Sequence, residues 1–166
     1  MKNTMSQQVP TSAASLTRVR SFAYPAPLDK HGSSHTQSDG SGRILIVEDD
    51  FLVSSQMEIA LNEAGFEVVG TAATGEEALQ LAEMHEADLA VMYIRLAGEK
   101  DGVDTALELF RLHRIRCVFA SAHSDEDARR RAAAASPLGW LQKPYMMESL
   151  ASLVRSALHE VRSQCD

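Results

Sequence analysis

Two cysteines are all that this 166-residue chain contains. They stand far apart, Cys117 inside an apolar run and Cys165 beside the C-terminus, so they do not make a disulfide framework, and a reducing cytoplasm is the compartment that fits. No apolar stretch approaches the ~18 residues that a membrane span needs, and the N-terminus lacks the compact apolar core of a signal peptide. Positive charge is also scarce. Residues 1–42 carry four Lys or Arg and two Asp, whereas residues 43–166 carry twelve Lys or Arg against twenty-one Asp or Glu, so the second part alone is near −9. An acidic domain suits nucleic acid poorly, because phosphate contacts need clustered cations. Arg129-Arg130-Arg131 is the one basic run, and it reads as a solvated helix face.

What is present divides into two parts. Residues 1–42 are rich in Ser, Thr, Gln, Pro, Gly and His, with apolar residues scattered without period, so they cannot bury enough surface to offset the entropy of ordering. A disordered N-terminal tail is expected there. From Arg43 the pattern changes to alternating strand-like and helix-like segments, the mark of an α/β sheet with crossover helices. The length predicts one domain with a full core, over residues 43–162, followed by a short tail at 163–166.

The runs Ile44 to Val47, Leu89 to Met92, Val118 to Ala120 and Trp140-Leu141 are too apolar for strands with one wet face, so they predict parallel strands buried on both sides. Val68-Val69 begins another strand. Val53, Met57, Ala60, Leu61 and Ala64 mark a first helical face, which Gly65 stops. Thr74 followed three residues later by Glu77 opens a second helix reaching about Glu86. Val103, Ala106, Leu107 and Phe110 line a third. Ser124-Asp125-Glu126-Asp127 caps a fourth, which runs through Ala132 to Ala135 and ends before Pro137. Leu150, Leu153, Val154, Ala157, Leu158 and Val161 form the most amphipathic helix of all. Right-handed crossovers between five such units give a five-stranded parallel sheet in the flavodoxin-like order 2-1-3-4-5, with helices on both faces and a crevice between the first and third strands. Four short pieces then converge just past strand ends: Glu48-Asp49, Tyr93, Ser121 and Lys143-Pro144.

In order and spacing this constellation resembles the response-regulator receiver domain, the CheY-like module of two-component and phosphorelay signal transduction. The resemblance implies that Glu48 and Asp49 are the acidic pair that holds Mg2+, that the backbone carbonyl of Arg95 completes the metal site, and that Lys143 bridges acceptor and phosphoryl group. It makes Ser121 the hydroxyl that turns inward on activation, and Trp140 the aromatic that moves with it. Asp50 fits a capping role at the first helix, and Lys143 is expected to pair with Glu48 or Asp49. A flavodoxin-like cofactor protein would need a Gly, Ser or Thr-rich loop after the first strand to cradle phosphate, where this chain offers the repelling Glu48-Asp49-Asp50.

One position departs from the family. Tyr93 stands where the resemblance places the phospho-accepting Asp. A phenol with a reference pKa of about 10 is neutral at pH 7, so it is neither a competent acceptor nor a hard metal ligand, and its ring fills the space a phosphoryl group would take. The expectation is a stand-alone binding module rather than an enzyme, independent of phosphorylation, with Mg2+ bound weakly or not at all. Its implied partners are a histidine kinase, a phosphotransfer protein or another receiver, met through Ser121, Trp140 and Arg129 to Arg131, with the chain itself a monomer or weak homodimer. The alternatives are an ordinary phosphoryl-accepting receiver using a substitute carboxylate, Asp49 or Asp101, and a receiver inactivated by an Asp-to-Tyr substitution.

Overall fold

Apolar side chains at successive positions, rather than at every second one, set the character of the sheet. In β1 (Arg43–Val47), Leu45 and Val47 enter one core and Ile44 and Ile46 the other, all four of them buried. β3 (Leu89–Tyr93) and β4 (Arg116–Ser121) repeat the pattern, as strands covered on both faces must. With β2 (Glu67–Ala72) and β5 (Gly139–Gln142) they form one five-stranded, all-parallel sheet in the order β2-β1-β3-β4-β5. The computed structural model describes residues 42–121 and 126–164. The tail expected before Gly42, the Ser124-Asp125 cap and Cys165 lie outside the described residues.

Five helices cover the two faces. α1 (Phe51–Glu63) and α5 (Met147–Ser163) pack Met57, Leu61, Leu150, Val154 and Leu158 onto one side. α2 (Gly75–Met84), α3 (Gly102–His113) and α4 (Glu126–Ala132) cover the other with Ala78, Val103, Leu109 and Ala128. Three of the helices begin on side-chain caps. Asp50 Oδ1 accepts from the N–H groups of Leu52 and Val53 at 2.9 and 3.1 Å, Thr74 Oγ1 from Glu77 at 3.2 Å, and Asp101 Oδ1 from Asp104 at 2.9 Å. Each such cap contributes about 1 kcal/mol. α1 stops where Gly65 takes φ +90°, a conformation that a Cβ disfavours.

The elements differ from the sequence expectations in four places. Gly42, expected as the last tail residue, is buried against Leu158 and its carbonyl accepts from Glu67 N–H at 3.0 Å, so the sheet's bonding begins one residue early. α5 runs one residue past the expected domain end, to Ser163. α2 ends at Met84 rather than Glu86, because His85 is extended and Glu86 reaches Arg43 at 2.8 Å. The fourth helix loses its regular form after Ala132: Ala133–Ala135 is a 3-10 turn, and Ser136 closes it in the left-handed conformation.

Candidate functional site

Parallel strands bring their C-terminal ends to one edge, and the register decides which residues meet there. Val47 lies level with Met92, Tyr93 with Ala120, and Ser121 with Gln142. Glu48 and Lys143 follow one step beyond. Glu48 N–H donates to the Ala72 carbonyl at 3.0 Å, and Lys143 N–H donates to the Ser121 carbonyl at 2.7 Å. Glu48, Asp49, Tyr93, Arg95 and Lys143 thereby line one cleft of about 390 Å3. Ser121 is buried at the end of β4, on the Lys143 side, and does not line that cleft.

Lys143 occupies the centre of this arrangement. Its Nζ lies 2.8 Å from Glu48 Oε2 and 3.9 Å from the centroid of the Tyr93 ring. The ammonium is therefore held between a carboxylate and an aromatic face, whose quadrupole attracts a cation. Of the two pairings left open by the sequence, the one with Glu48 forms. Glu48 is 3% exposed. Burial pushes its carboxyl above the ordinary Glu value, and the hydrogen bond and charge of Lys143 oppose that rise without cancelling it.

The other two acids after β1 differ. Asp49 is exposed on the cleft wall, whereas Asp50 is engaged as the cap of α1. Arg95 is exposed at the rim. Asp101, the other candidate for a substitute carboxylate, has both oxygens occupied: Oδ1 accepts from Asp104 N–H and Oδ2 from Arg131 Nη1, at 2.9 and 2.8 Å. Burial pushes the Asp101 carboxyl up, but these hydrogen bonds outweigh it and leave the group below the usual Asp value. Among the described residues no group of three or more His, Cys, Asp and Glu side chains is disposed to hold a metal ion.

The α4 and β5 face is joined by stacking. Phe119, wholly buried, and Trp140 lie with ring centroids 4.5 Å apart and planes at 17°, and the Arg129 guanidinium covers Trp140 at 4.6 Å. The basic run is thus more than the solvated face that its sequence suggested. Arg129 stacks, Arg130 pairs with Asp127 on its own helix, and Arg131 bridges to Asp101 and Asp104 of α3 at 2.8 and 2.9 Å.

Two features escaped the sequence. The Tyr145 hydroxyl is buried with no hydrogen-bond partner among the described residues, and its pKa is pushed up to about 12 by burial and by the charge of Glu48. Its place after Lys143-Pro144 was visible; its proximity to Glu48 was not. Gly102 packs so closely on the Tyr93 carbonyl that no Cβ would fit, and its N–H donates to Ile94 O at 2.7 Å. The signal for it was the capping Asp101 immediately ahead.

The response regulator receiver domain family matches residues 44–155. This chain belongs to that family and is a receiver domain of two-component signalling. Among curated proteins it is similar to the transcriptional regulatory protein PdtaR of Mycobacterium tuberculosis (strain CDC 1551 / Oshkosh), 34% identical over 120 residues that cover 72% of this chain and 58% of PdtaR. The chain thus spans under two thirds of that relative. Among solved structures it is similar to the signal receiver domain of a modulated diguanylate cyclase from Desulfovibrio desulfuricans G20, with TM-score 0.70 and 31% identity over 75% of this chain and 99% of that one. A CheY-like receiver protein from Methanospirillum hungatei JF-1, at TM-score 0.69 and 22% identity over 75% of this chain and 99% of that one, shares the fold. Among the described residues no helix is long and apolar enough to cross a membrane.

Proposed function

We propose that this receiver works without phosphorylation, binding another two-component protein while its cleft is held in one state. The observation that carries this reading is Lys143, seated between Glu48 at 2.8 Å and the Tyr93 ring at 3.9 Å. In this reading Tyr93 stands at the family's acceptor position, and the lysine has found a ring where the family offers it a second carboxylate.

The donor set does not fit tightly held magnesium, which asks for near-octahedral oxygen ligands. Glu48 is engaged by Lys143 and Asp50 by the helix cap. A phenol is neutral at pH 7, so Asp49 and the Arg95 carbonyl are left as the remaining donors, and binding through them is weak. A substitute acceptor at Asp101 is disfavoured because both of its oxygens are already occupied. The partner is a histidine kinase, a phosphotransfer protein or another receiver, docking on the face built from Trp140 and the three arginines of α4, with the buried Ser121 as its switch hydroxyl rather than a contact, and the free chain is a monomer or weak homodimer.

The test is incubation with acetyl phosphate and magnesium, followed by intact-mass spectrometry before and after hydroxylamine. The native chain takes up no hydroxylamine-sensitive phosphoryl group, and Tyr93→Asp takes up one, because Glu48, Ser121 and Lys143 are already at their strand ends. A native chain that gains an acid-labile phosphoryl group refutes the proposal. A Tyr93→Asp chain that stays inert shows that more than the acceptor has been lost.

A further inference from the structure

The fourth helix is the least anchored of the five by apolar contact. Within α4, Ala128 and Ala132 are the buried side chains, and two methyl groups remove little surface from water. Two of its arginines tie it to neighbouring elements. Arg131 reaches sideways to α3, with Nη1 2.8 Å from Asp101 Oδ2 and Nη2 2.9 Å from Asp104 Oδ1. Arg129 reaches β5, its guanidinium 4.6 Å above Trp140. Residues two apart on a helix project to nearly opposite sides, so α4 is stayed from both flanks.

The α3 end of this arrangement leads back to the cleft. Asp101 holds Arg131 with one oxygen and caps α3 with the other. Its neighbour Gly102 abuts the Tyr93 carbonyl with no space for a side chain, and its N–H is bonded to Ile94 O. Any displacement at the end of β3 therefore moves the anchor to which Arg131 is tied.

We propose that Arg131 is the positioning residue of the α4 and β5 face, and that its fork onto Asp101 and Asp104 couples the end of β3 to that face through the cap of α3. This inference rests on the reading of the face as the partner surface, but its test needs neither a partner nor a phosphoryl group, so the two can fail separately.

Hydrogen exchange of residues 126–135 and acrylamide quenching of Trp140, the single tryptophan, provide the readouts. Arg131→Gln raises α4 exchange by roughly three- to tenfold, the range for losing two exposed ion pairs, and makes Trp140 easier to quench. Arg130→Gln, whose partner Asp127 lies on the same helix, raises α4 exchange by less than about twofold, as for one exposed i,i+3 pair, and leaves Trp140 quenching unchanged. Arg131→Lys recovers part of the effect, since an ammonium lacks the planar fork. Tyr93→Ala, which removes the ring beneath Lys143, raises α4 exchange in the Arg131 background and adds nothing further in Arg131→Gln. The proposal is overturned if Arg131→Gln behaves as Arg130→Gln does, if Tyr93→Ala leaves α4 exchange unchanged, or if its effect is the same in both backgrounds.

Discussion

Replacing Lys143 with Met removes the charge at the centre of the cleft while keeping the volume of the side chain. Glu48, whose side chain is 2% exposed, then faces its burial without a counter-charge. Breaking a fully buried pair from one side costs about 3–5 kcal/mol. The Lys143 side chain is 24% exposed, so water at the cleft screens part of that, and Glu48 can escape the rest by taking up a proton. The expected loss in urea unfolding at pH 7 is about 1–3 kcal/mol, with ~0.5–1 kcal/mol of it belonging to the Tyr93 ring contact. The pH dependence identifies the origin. Burial already places the Glu48 carboxyl above its ordinary value, so the folded chain binds this proton more tightly than the unfolded one. Stability from that proton is fully present below the unfolded value, about 4.3, and is lost as pH rises through the folded one. Lys143→Met moves the folded value further up and widens this window, so its deficit is largest at neutral pH and shrinks towards pH 5. Glu48→Gln in the Lys143→Met background recovers about 1–2 kcal/mol at pH 7 by removing the stranded charge. A deficit of equal size at both pH values, or a double variant weaker than Lys143→Met alone, would refute the idea that Lys143 stabilises the fold by neutralising Glu48.

Gly102→Ala drives a Cβ into the Tyr93 carbonyl, so thermal unfolding should show a loss of at least about 2 kcal/mol, well beyond the ordinary cost of a surface substitution; a near-neutral result would mean the β3–α3 connection is soft. Trp140→Ala removes the ring stacked on Phe119 and costs about 2 kcal/mol of stability, and calorimetry should show a further affinity loss of up to about 2 kcal/mol towards any partner that uses this face. Asp50→Ala frees the Leu52 and Val53 N–H groups and lowers the urea midpoint by the equivalent of about 1 kcal/mol while the Glu48–Lys143 pair stays in place, as heteronuclear shifts can confirm.

The parts of the fold that local chemistry dictates were readable in the chain. Doubly buried strands announce themselves by continuous apolar runs, Thr74 and Gly65 punctuate helices by their own conformational preferences, and strand order follows from crossover handedness. Contacts between residues distant in sequence were less accessible. Nothing local to Arg131 distinguishes it from Arg130, yet one bridges 30 residues back to Asp101 while the other turns to Asp127 three residues away. The sequence reading weighed Asp101 as a chemical group, and only its place ahead of Gly102 reveals a cap. In the same way, the strand positions of Lys143 and Tyr93 bring them to one edge, but the ring beneath the ammonium depends on side-chain directions that spacing does not specify. The 3-10 turn at Ala133–Ala135 is invisible for a related reason: an alanine run is compatible with either helix, and the close at Ser136 decides.

The short helix on two alanines has a consequence for how the molecule behaves in different media. Added sodium chloride shortens the reach of electrostatic forces from about 8 Å at physiological strength to about 3 Å at 1 M, whereas burial of apolar groups does not weaken with it. Salt therefore loosens α4 and leaves the sheet intact, and the stiffness of one surface becomes a graded function of the ionic composition around it.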